Sequence, residues 1–264
     1  MSDPVPPALA ISGLGLQIGG ATILKDVDLE VAPGSTVGVI GPNGAGKTTL
    51  FNVISGVVRP TSGRIVMDGD DITTASVPRR ARAGLGRTFQ TSSLFPRLSV
   101  LENVRLAAQV SRGGNYSLLR FPRRSDAATE HALEQLVKVG LTHKLDTPAG
   151  DISHGDKRKL EIAVLLATDA RTVLLDEPMA GVASGDVAGL VENIRDLQRE
   201  TGCTVLMVEH HIDVLMGLVE KVAVMYAGSI IAYDRPEAIM ADPLVQSAYL
   251  GRPAASDDAN GAAA

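Results

Sequence analysis

The feature that most constrains the fold is a short apolar run that ends at a glycine-rich turn. The run TVGVI, residues 36–40, is rich in β-branched side chains, which is typical of a strand buried on both faces of a sheet. The residues that follow, GPNGAGKT, match the pattern G-x-x-x-x-G-K-[ST] at every fixed position, and a helical pattern covers residues 48–55. Strand, loop and helix together predict an α/β fold that holds a phosphate group at the helix N-terminus.

The loop residues divide phosphate binding between backbone and side chains. Glycines let backbone N–H groups turn inward around the β- and γ-phosphates of a nucleotide, where the helix N-terminus adds its partial positive charge. Lys47 would add a point charge to the same phosphates, and the Thr48 hydroxyl would bind Mg²⁺. The predicted nucleotide-binding residues are Gly41, Pro42, Asn43, Gly44, Ala45, Gly46, Lys47, Thr48 and Thr49.

A second apolar run, TVLLDEP at residues 172–178, ends in two adjacent acids. Carboxylates at the end of a buried strand are costly unless they bind something. We expect Asp176 to hold Mg²⁺ through its water shell. Glu177 would lie near the γ-phosphate, where it would orient or deprotonate the attacking water. With the phosphate loop upstream, this acidic pair predicts a nucleotide hydrolase.

The remaining patterns predict how the elements are arranged. The first thirty residues resemble antiparallel strands, and the helical pattern between TVLLDEP and CTVLMVEHH completes a parallel βαβ unit. The segment KVAVMYAGSIIAYDRP predicts a hairpin that turns at Gly228. We expect a single domain over residues 8–250, with an α/β core at 8–90 and 164–250, a helical subdomain at 91–163 and a disordered tail at 251–264.

Composition argues against several classes of protein. A single cysteine, Cys203, cannot form an internal disulfide or a cysteine-based zinc cluster. It is consistent with a reducing compartment. A formal net charge of -5 and an aromatic content of 3% argue against a nucleic-acid partner. The N-terminus, MSDPVPPALA, lacks a basic start and an apolar run, and no window approaches roughly 18 apolar residues. We therefore expect a cytoplasmic protein that reaches a membrane only through a partner.

Three further segments, taken with the two motifs above, resemble the ATP-binding cassette family over about residues 9–250. GRTFQ ends at Gln90, which matches the family's Q-loop glutamine, and MVEHH contains His210, which matches its switch histidine. Residues 152–156, ISHGD, correspond to the signature usually written L-S-G-G-Q, and we call them the signature segment. The resemblance implies a phosphate-loop nucleotide-binding domain with a mixed sheet core, an antiparallel β subdomain and an inserted helical subdomain. It also implies ATP and Mg²⁺ as cofactors.

The resemblance implies a role for each of these segments. Gln90 would bind Mg²⁺ or water in one position and withdraw in another, which links the nucleotide to a partner protein. His210 would donate a hydrogen bond to the γ-phosphate beside the catalytic Glu177. Ser153 and Gly155 would touch the γ-phosphate of ATP bound to a second subunit, packed head to tail. Taken alone, Ser153 is also a plain helix N-cap, and the same geometry accommodates both roles.

Four positions depart from the family pattern, and the first is His154, which replaces a glycine of the signature. Ile18 stands where the family often stacks an aromatic ring on adenine, so its contact with the base would lack a π-face. Asp156 replaces the final glutamine of the signature, and its charge would weaken nucleotide attraction unless Lys157 or Arg158 offsets it. Ala183 stands where the loop after the acidic strand usually carries Asp or Asn, and in the family that loop helps couple the two sites of the dimer.

Several short segments resemble one branch of the family, the ATPase subunits of branched-chain amino-acid importers and their urea or amide relatives. These segments are GRTFQ, LSVLENV, KLEIA, EPMAG and AYLG. The resemblance implies an ATP-hydrolysing motor on the cytoplasmic face of the inner membrane. Its partners would be an identical or paralogous ATPase subunit, transmembrane permease subunits and, indirectly, a periplasmic binding protein. Because of the departures above, a regulatory module that dimerises on ATP but barely hydrolyses it stays open as an alternative.

Overall fold

The computed structural model describes residues 6–88, 94–111 and 127–250, and confirms the α/β class. The strands in these ranges are β1 (Leu9–Ile18), β2 (Ala21–Val31), β3 (Thr36–Ile40), β4 (Ser62–Met67), β5 (Asp70–Asp71), β6 (Leu85–Arg87), β7 (Thr172–Asp176), β8 (Thr204–Val208), β9 (Lys221–Tyr226) and β10 (Ser229–Asp234). The helices are α1 (Lys47–Ile54), α2 (Val77–Arg82), α3 (Val100–Ser111), α4 (Ala127–Lys138), α5 (His154–Ala167), α6 (Ser184–Thr201), α7 (Ile212–Met216), α8 (Pro236–Ala241) and α9 (Pro243–Leu250). A 3-10 turn covers Thr142–Lys144.

The main sheet has six strands in the order β10-β9-β3-β8-β7-β6. β3 pairs in parallel with β8 and β9, β7 pairs in parallel with β8 and β6, and β10 runs antiparallel to β9. The βαβ unit predicted for β7, α6 and β8 is therefore confirmed. Since β3, β7 and β8 are parallel, the loops that follow them emerge at one edge of the sheet, where α/β folds bind ligands.

A second, antiparallel sheet has the strand order β2-β1-β4-β5, which confirms the prediction for the first thirty residues. It meets the main sheet through the β9–β10 hairpin, whose turn is formed by Ala227 and Gly228 as predicted. The Gly228 backbone N–H donates to the Ala45 carbonyl over 3.0 Å, and its carbonyl accepts the Lys25 N–H over 2.9 Å. One turn thus ties the phosphate loop to β2.

Two hydrophobic cores lie on opposite faces of the main sheet. Val173 and Leu175 of β7 belong to the core that includes α3 to α6, whereas Leu174 belongs to the core that includes α1, β1 and β2. Successive side chains of a strand point to opposite faces, so all five residues of β7 are buried. This burial explains why the strand appears in the sequence as an unbroken apolar run.

Helices α3, α4 and α5 contact one another and lie in or next to the range expected for the helical subdomain. α5 begins directly after Ser153 and continues to Ala167, past the expected boundary at residue 163. Within the described ranges, none of the helices combines the length and apolar character that crossing a bilayer requires. The tail at 251–264, for which disorder was expected, lies outside those ranges.

Candidate active site

The phosphate loop joins the carboxyl end of β3 to the N-terminus of α1. All the loop residues predicted from the sequence, 41–49, lie in this loop or in the first turn of α1. Gly41 and Gly46 have φ values of 155° and 104°. A Cβ atom at Gly41 would lie 2.2 Å from the Met225 carbonyl oxygen, so only glycine fits there. Backbone N–H groups at such a helix start are suited to bind phosphate oxygens.

The Lys47 ammonium group folds back against the loop that precedes it. Its Nζ donates to the carbonyl oxygens of Gly41 and Pro42 over 2.7 and 3.1 Å. Burial lowers the pKa of Lys47, and the charges of Glu177 and Asp176 counteract that shift only in part. Both acids therefore lie close enough to act on this lysine.

The Asp176 carboxyl group lies inside the protein, with 1% of the residue exposed. Burial raises the pKa of Asp176, and a hydrogen bond from Arg87 opposes the shift. Nη2 of Arg87 donates to Oδ2 over 3.0 Å, whereas Oδ1 has no hydrogen-bond partner among the residues that the structure describes. A buried carboxylate oxygen that has no hydrogen-bond partner is suited to be a ligand of Mg²⁺.

Glu177 and His210 form a hydrogen-bonded pair at the edge of the main sheet. Nε2 of His210 lies 2.9 Å from Oε1 of Glu177. Glu177 has a φ of 49°, in the left-handed region that residues with side chains seldom occupy, and such strain is concentrated at functional sites. Its side chain is 18% exposed and that of His210 is 47% exposed. A ligand or water can therefore reach the pair from solvent.

Sequence reasoning missed the role of Glu209. Its buried carboxylate accepts the backbone N–H of Met179 over 2.7 Å and that of His210 over 3.0 Å. The ring Nδ1 of His211, for which no role was expected, lies 3.3 Å from the same carboxylate. Glu209 thus ties the loop after β7 to the end of β8 and orients the residues around Glu177. The sequence did contain a signal for this role, since Glu209 is an acid beside the switch histidine at the end of an apolar strand.

Arg87 is a second residue that was not assigned a role. Nη1 donates to the Ser55 hydroxyl over 2.6 Å, and Nη2 binds Asp176. One guanidinium group therefore links the end of β6 to the residue after α1 and to the end of β7. It lies in the segment GRTFQ, whose predicted site residue, Gln90, falls outside the described residues.

The signature segment forms the start of α5, and Ser153 is its N-cap, as the alternative interpretation predicted. Ser153 Oγ accepts the backbone N–H of Asp156 over 3.2 Å and donates to Asp156 Oδ2 over 2.9 Å. At Gly155, a Cβ atom would lie 3.3 Å from Asp186 Oδ2. The helix start therefore has two carboxylates near it.

Neither Lys157 nor Arg158, the two residues considered for offsetting the Asp156 charge, pairs with that carboxylate. The partner is Lys144 of the 3-10 turn, whose Nζ lies 2.5 Å from Asp156 Oδ2. Lys157 donates to a backbone carbonyl of the preceding loop, and Arg158 pairs with Glu161. The physical reason is that residues one or two positions apart on a helix do not face each other.

The departures at Ile18 and Ala183 lie at exposed positions. Ile18 ends β1 and is 56% exposed, so it is accessible to a ligand. Ala183 is the N-cap of α6 and makes no side-chain capping bond there.

The family model described as ABC transporter matches residues 24–180, more than half of the chain. The chain belongs to the ABC transporter family. A second model, described as branched-chain amino acid ATP-binding cassette transporter, matches residues 229–255 of this ABC protein. The cassette of this family binds nucleotide and hydrolyses ATP, and the chain is an ATPase of that type.

Curated relatives match this ABC ATPase over most of its length. It is 36% identical over 250 residues to the high-affinity branched-chain amino acid transport ATP-binding protein LivG of Escherichia coli K12, which covers 93% of this chain and 98% of the relative. It is 38% identical, with the same coverage, to the high-affinity branched-chain amino acid transport ATP-binding protein BraF of Pseudomonas aeruginosa. The lipopolysaccharide export system ATP-binding protein LptB of Acidithiobacillus ferridurans is 36% identical, over 87% of this chain and 90% of the relative.

Solved structures confirm the cassette fold. A nucleotide-free ATP-binding cassette from an ABC transporter has a TM-score of 0.81 and 30% identity, covering 93% of this chain and 100% of that one. The ADP conformation of an ATP-binding cassette has the same score and identity, covering 93% and 99%. A dimeric post-hydrolysis cassette bound to ADP and Pi has a TM-score of 0.73 and 25% identity, covering 86% and 98%.

Proposed function

We propose that this ABC ATPase is the motor subunit of an importer for branched-chain amino acids or related small amino acids and amides. Two relatives, LivG and BraF, are named for branched-chain amino acid transport. LptB, named for lipopolysaccharide export, is as similar in identity as LivG. The match of residues 229–255 to the branched-chain amino acid model is the observation that favours amino-acid import over export.

The phosphate loop would hold ATP through its backbone N–H groups and Lys47. The Lys47 ammonium group would exchange its bonds to the Gly41 and Pro42 carbonyls for phosphate oxygens. Thr48 and Asp176 would hold Mg²⁺, with Gln90 as a further ligand. Mg²⁺, when bound, neutralises charge that develops on the phosphate oxygens.

The Glu177–His210 pair carries the proposal for hydrolysis. Glu177 would orient a water molecule for in-line attack on the γ-phosphorus and accept its proton as the new P–O bond forms. The bond from the γ-phosphorus to the bridging oxygen breaks, and that oxygen leaves with ADP. His210, whose Nε2 lies 2.9 Å from Oε1, would fix the direction of the carboxylate before ATP binds, and would donate to the γ-phosphate once that contact is released.

A second subunit would complete each site. Ser153 and Gly155 at the start of α5 would meet the γ-phosphate of ATP held by the phosphate loop of an identical or paralogous ATPase. The dimeric cassette with ADP and Pi, at 25% identity, supports this arrangement. Transmembrane permease subunits would hold the dimer at the cytoplasmic face of the inner membrane, and a periplasmic binding protein would deliver the solute.

ATP-dependent dimerisation tests the proposed two-subunit site. The Glu177→Gln variant should bind ATP without turnover and elute as a dimer, whereas Glu177→Gln with Lys47→Ala should stay monomeric because it lacks the phosphate charge partner. Size-exclusion chromatography with light scattering measures both masses. A Glu177→Gln protein that stays monomeric at saturating ATP would contradict a homodimeric site. Mixing with the paralogous ATPase then tests the heterodimer.

Gene neighbourhood and a binding assay test the solute. Two permease genes and a periplasmic binding protein gene should lie beside this one. The purified binding protein should be stabilised against heat by leucine, isoleucine or valine. Stabilisation by urea or another small amide alone would instead support the amide branch, and stabilisation by none of them would contradict both.

A further inference from the structure

The Lys144–Asp156 pair lies directly beside the residue that is to meet a phosphate. Oδ2 of Asp156 accepts from Lys144 Nζ over 2.5 Å and from Ser153 Oγ over 2.9 Å. Because both bonds share one oxygen, the Lys144 ammonium group lies within two hydrogen-bond lengths of the Ser153 hydroxyl. A cation from the 3-10 turn is thereby placed at the start of α5.

The charges around the signature segment favour a cation at this place. Burial acts to raise the pKa of Asp156, but the bonds from Lys144 and Ser153 outweigh it and leave the pKa below its usual value. Asp156 is therefore a carboxylate at neutral pH. The Asp186 carboxylate lies close to Gly155 as well. Without Lys144, Asp156 would keep only the charge of Lys159 nearby, and a phosphate that approaches Ser153 would meet a more negative surface.

The Ser153 hydroxyl also has a single proton to give. In this conformation that proton goes to Asp156 Oδ2, so Ser153 can donate to a phosphate only by releasing the carboxylate. A carboxylate that loses its hydrogen-bond donor destabilises the protein unless another donor still binds it. Lys144 already occupies the same oxygen and supplies that donor.

We propose that Lys144 is a positioning residue for the ATP-bound dimer. By holding Asp156, it releases the Ser153 hydroxyl to the γ-phosphate of the second subunit's ATP and cancels the carboxylate charge beside it. This inference rests on the proposed two-subunit site. A purely structural capping role would require only the Ser153–Asp156 contacts and would not depend on the charge of Lys144.

The test uses the Glu177→Gln protein as the parent and measures the ATP concentration that gives half-maximal dimer. Lys144→Met should raise that concentration about tenfold or more, in line with the cost of leaving one partner of a charge pair alone. Adding Asp156→Asn to Lys144→Met removes the stranded charge and should restore the value to within about threefold of the parent. Lys144→Arg keeps the cation and should retain dimerisation.

Lys157→Met is the matched control. Lys157 neighbours Asp156 in sequence, but its Nζ binds the Gly150 carbonyl, so removing this charge should change dimerisation by less than about twofold. ATP affinity of the monomer, measured by calorimetry at protein concentrations below dimerisation, should be unchanged in Lys144→Met because Lys144 does not serve its own phosphate loop.

Three results would overturn the inference. They are dimerisation of Lys144→Met at the parental ATP concentration, an equal loss in Lys157→Met, and no recovery when Asp156→Asn is added. Failure of the Glu177→Gln parent itself to dimerise, alone or with a paralogue, would instead overturn the two-subunit site on which the inference rests. Thermal unfolding of each variant confirms that a loss of dimer is not a loss of fold.

Discussion

At the scale of single residues, the site depends on a buried ion pair between two motifs, and the sequence did not predict that they pair. The side chains of Arg87 and Asp176 are 6% and 1% exposed, and the same guanidinium binds Ser55. Removing one partner of such a pair leaves an uncompensated buried charge, which costs about 3–5 kcal/mol. The pair of Arg64 and Asp71 is exposed, at 65% and 43%, so solvent screens it and its contribution to stability should be small.

Arg87→Met should therefore lower the free energy of unfolding by about 3 kcal/mol. Its ATPase rate should also fall, because Asp176 loses the bond that fixes its carboxylate. Arg64→Met is the control and should leave the free energy of unfolding nearly unchanged, because solvent screens its exposed ion pair. Urea denaturation measures both, and equal losses in the two variants would contradict the importance of the buried pair.

Motif residues could be predicted from the sequence, whereas most of their partners could not. The phosphate loop and the acidic end of TVLLDEP are local patterns, so Lys47, Asp176 and Glu177 were identified before the structure. Arg87 lies 89 positions from Asp176, and Lys144 lies 12 positions from Asp156. Tertiary packing decides such pairs, so the partner of Asp156 is Lys144 and not its neighbours in sequence, Lys157 and Arg158.

At the scale of elements, the start of α6 lacks a side-chain cap. Ala183 has φ and ψ of −63° and 144°, the conformation of an N-cap residue, but offers no oxygen to the first N–H groups of the helix. This helix connects the loop after Glu177 to β8, so its first turn lies next to the catalytic edge. The sequence predicted the helix because its apolar residues recur at helical spacing. It also showed Ala183 where the family usually has Asp or Asn, which are both capping residues.

Ala183→Ser should raise the free energy of unfolding by about 1 kcal/mol, since the serine hydroxyl can accept an N–H at the helix start. Ala188→Ser makes the same change at an exposed position inside α6 and should lower it by about 0.5 kcal/mol through reduced helix propensity. Chemical denaturation measures both variants. If both substitutions lower the free energy of unfolding, the missing N-cap of α6 does not reduce stability.

At the scale of the whole molecule, strand order brings the motifs together. β3, β8 and β7 are neighbours in the main sheet, so the phosphate loop, Glu209–His210 and Asp176–Glu177 emerge at one edge. The turn at Gly228 holds the phosphate loop from the side of the antiparallel sheet. The sequence predicted the βαβ unit of β7 and β8. It could not predict that β3 lies between β8 and β9, because those pairings join distant segments without a local signal.

The central claim is that the site at this edge of the sheet hydrolyses ATP and that Glu177 is its general base. The steady-state Mg-ATPase rate of Glu177→Gln tests it most directly, with Glu220→Gln, a change at an exposed glutamate on the loop before β9, as the control. The account predicts a rate at least about a hundredfold below wild type for Glu177→Gln and an unchanged rate for the control. Equal ATPase rates in wild type and Glu177→Gln would contradict it.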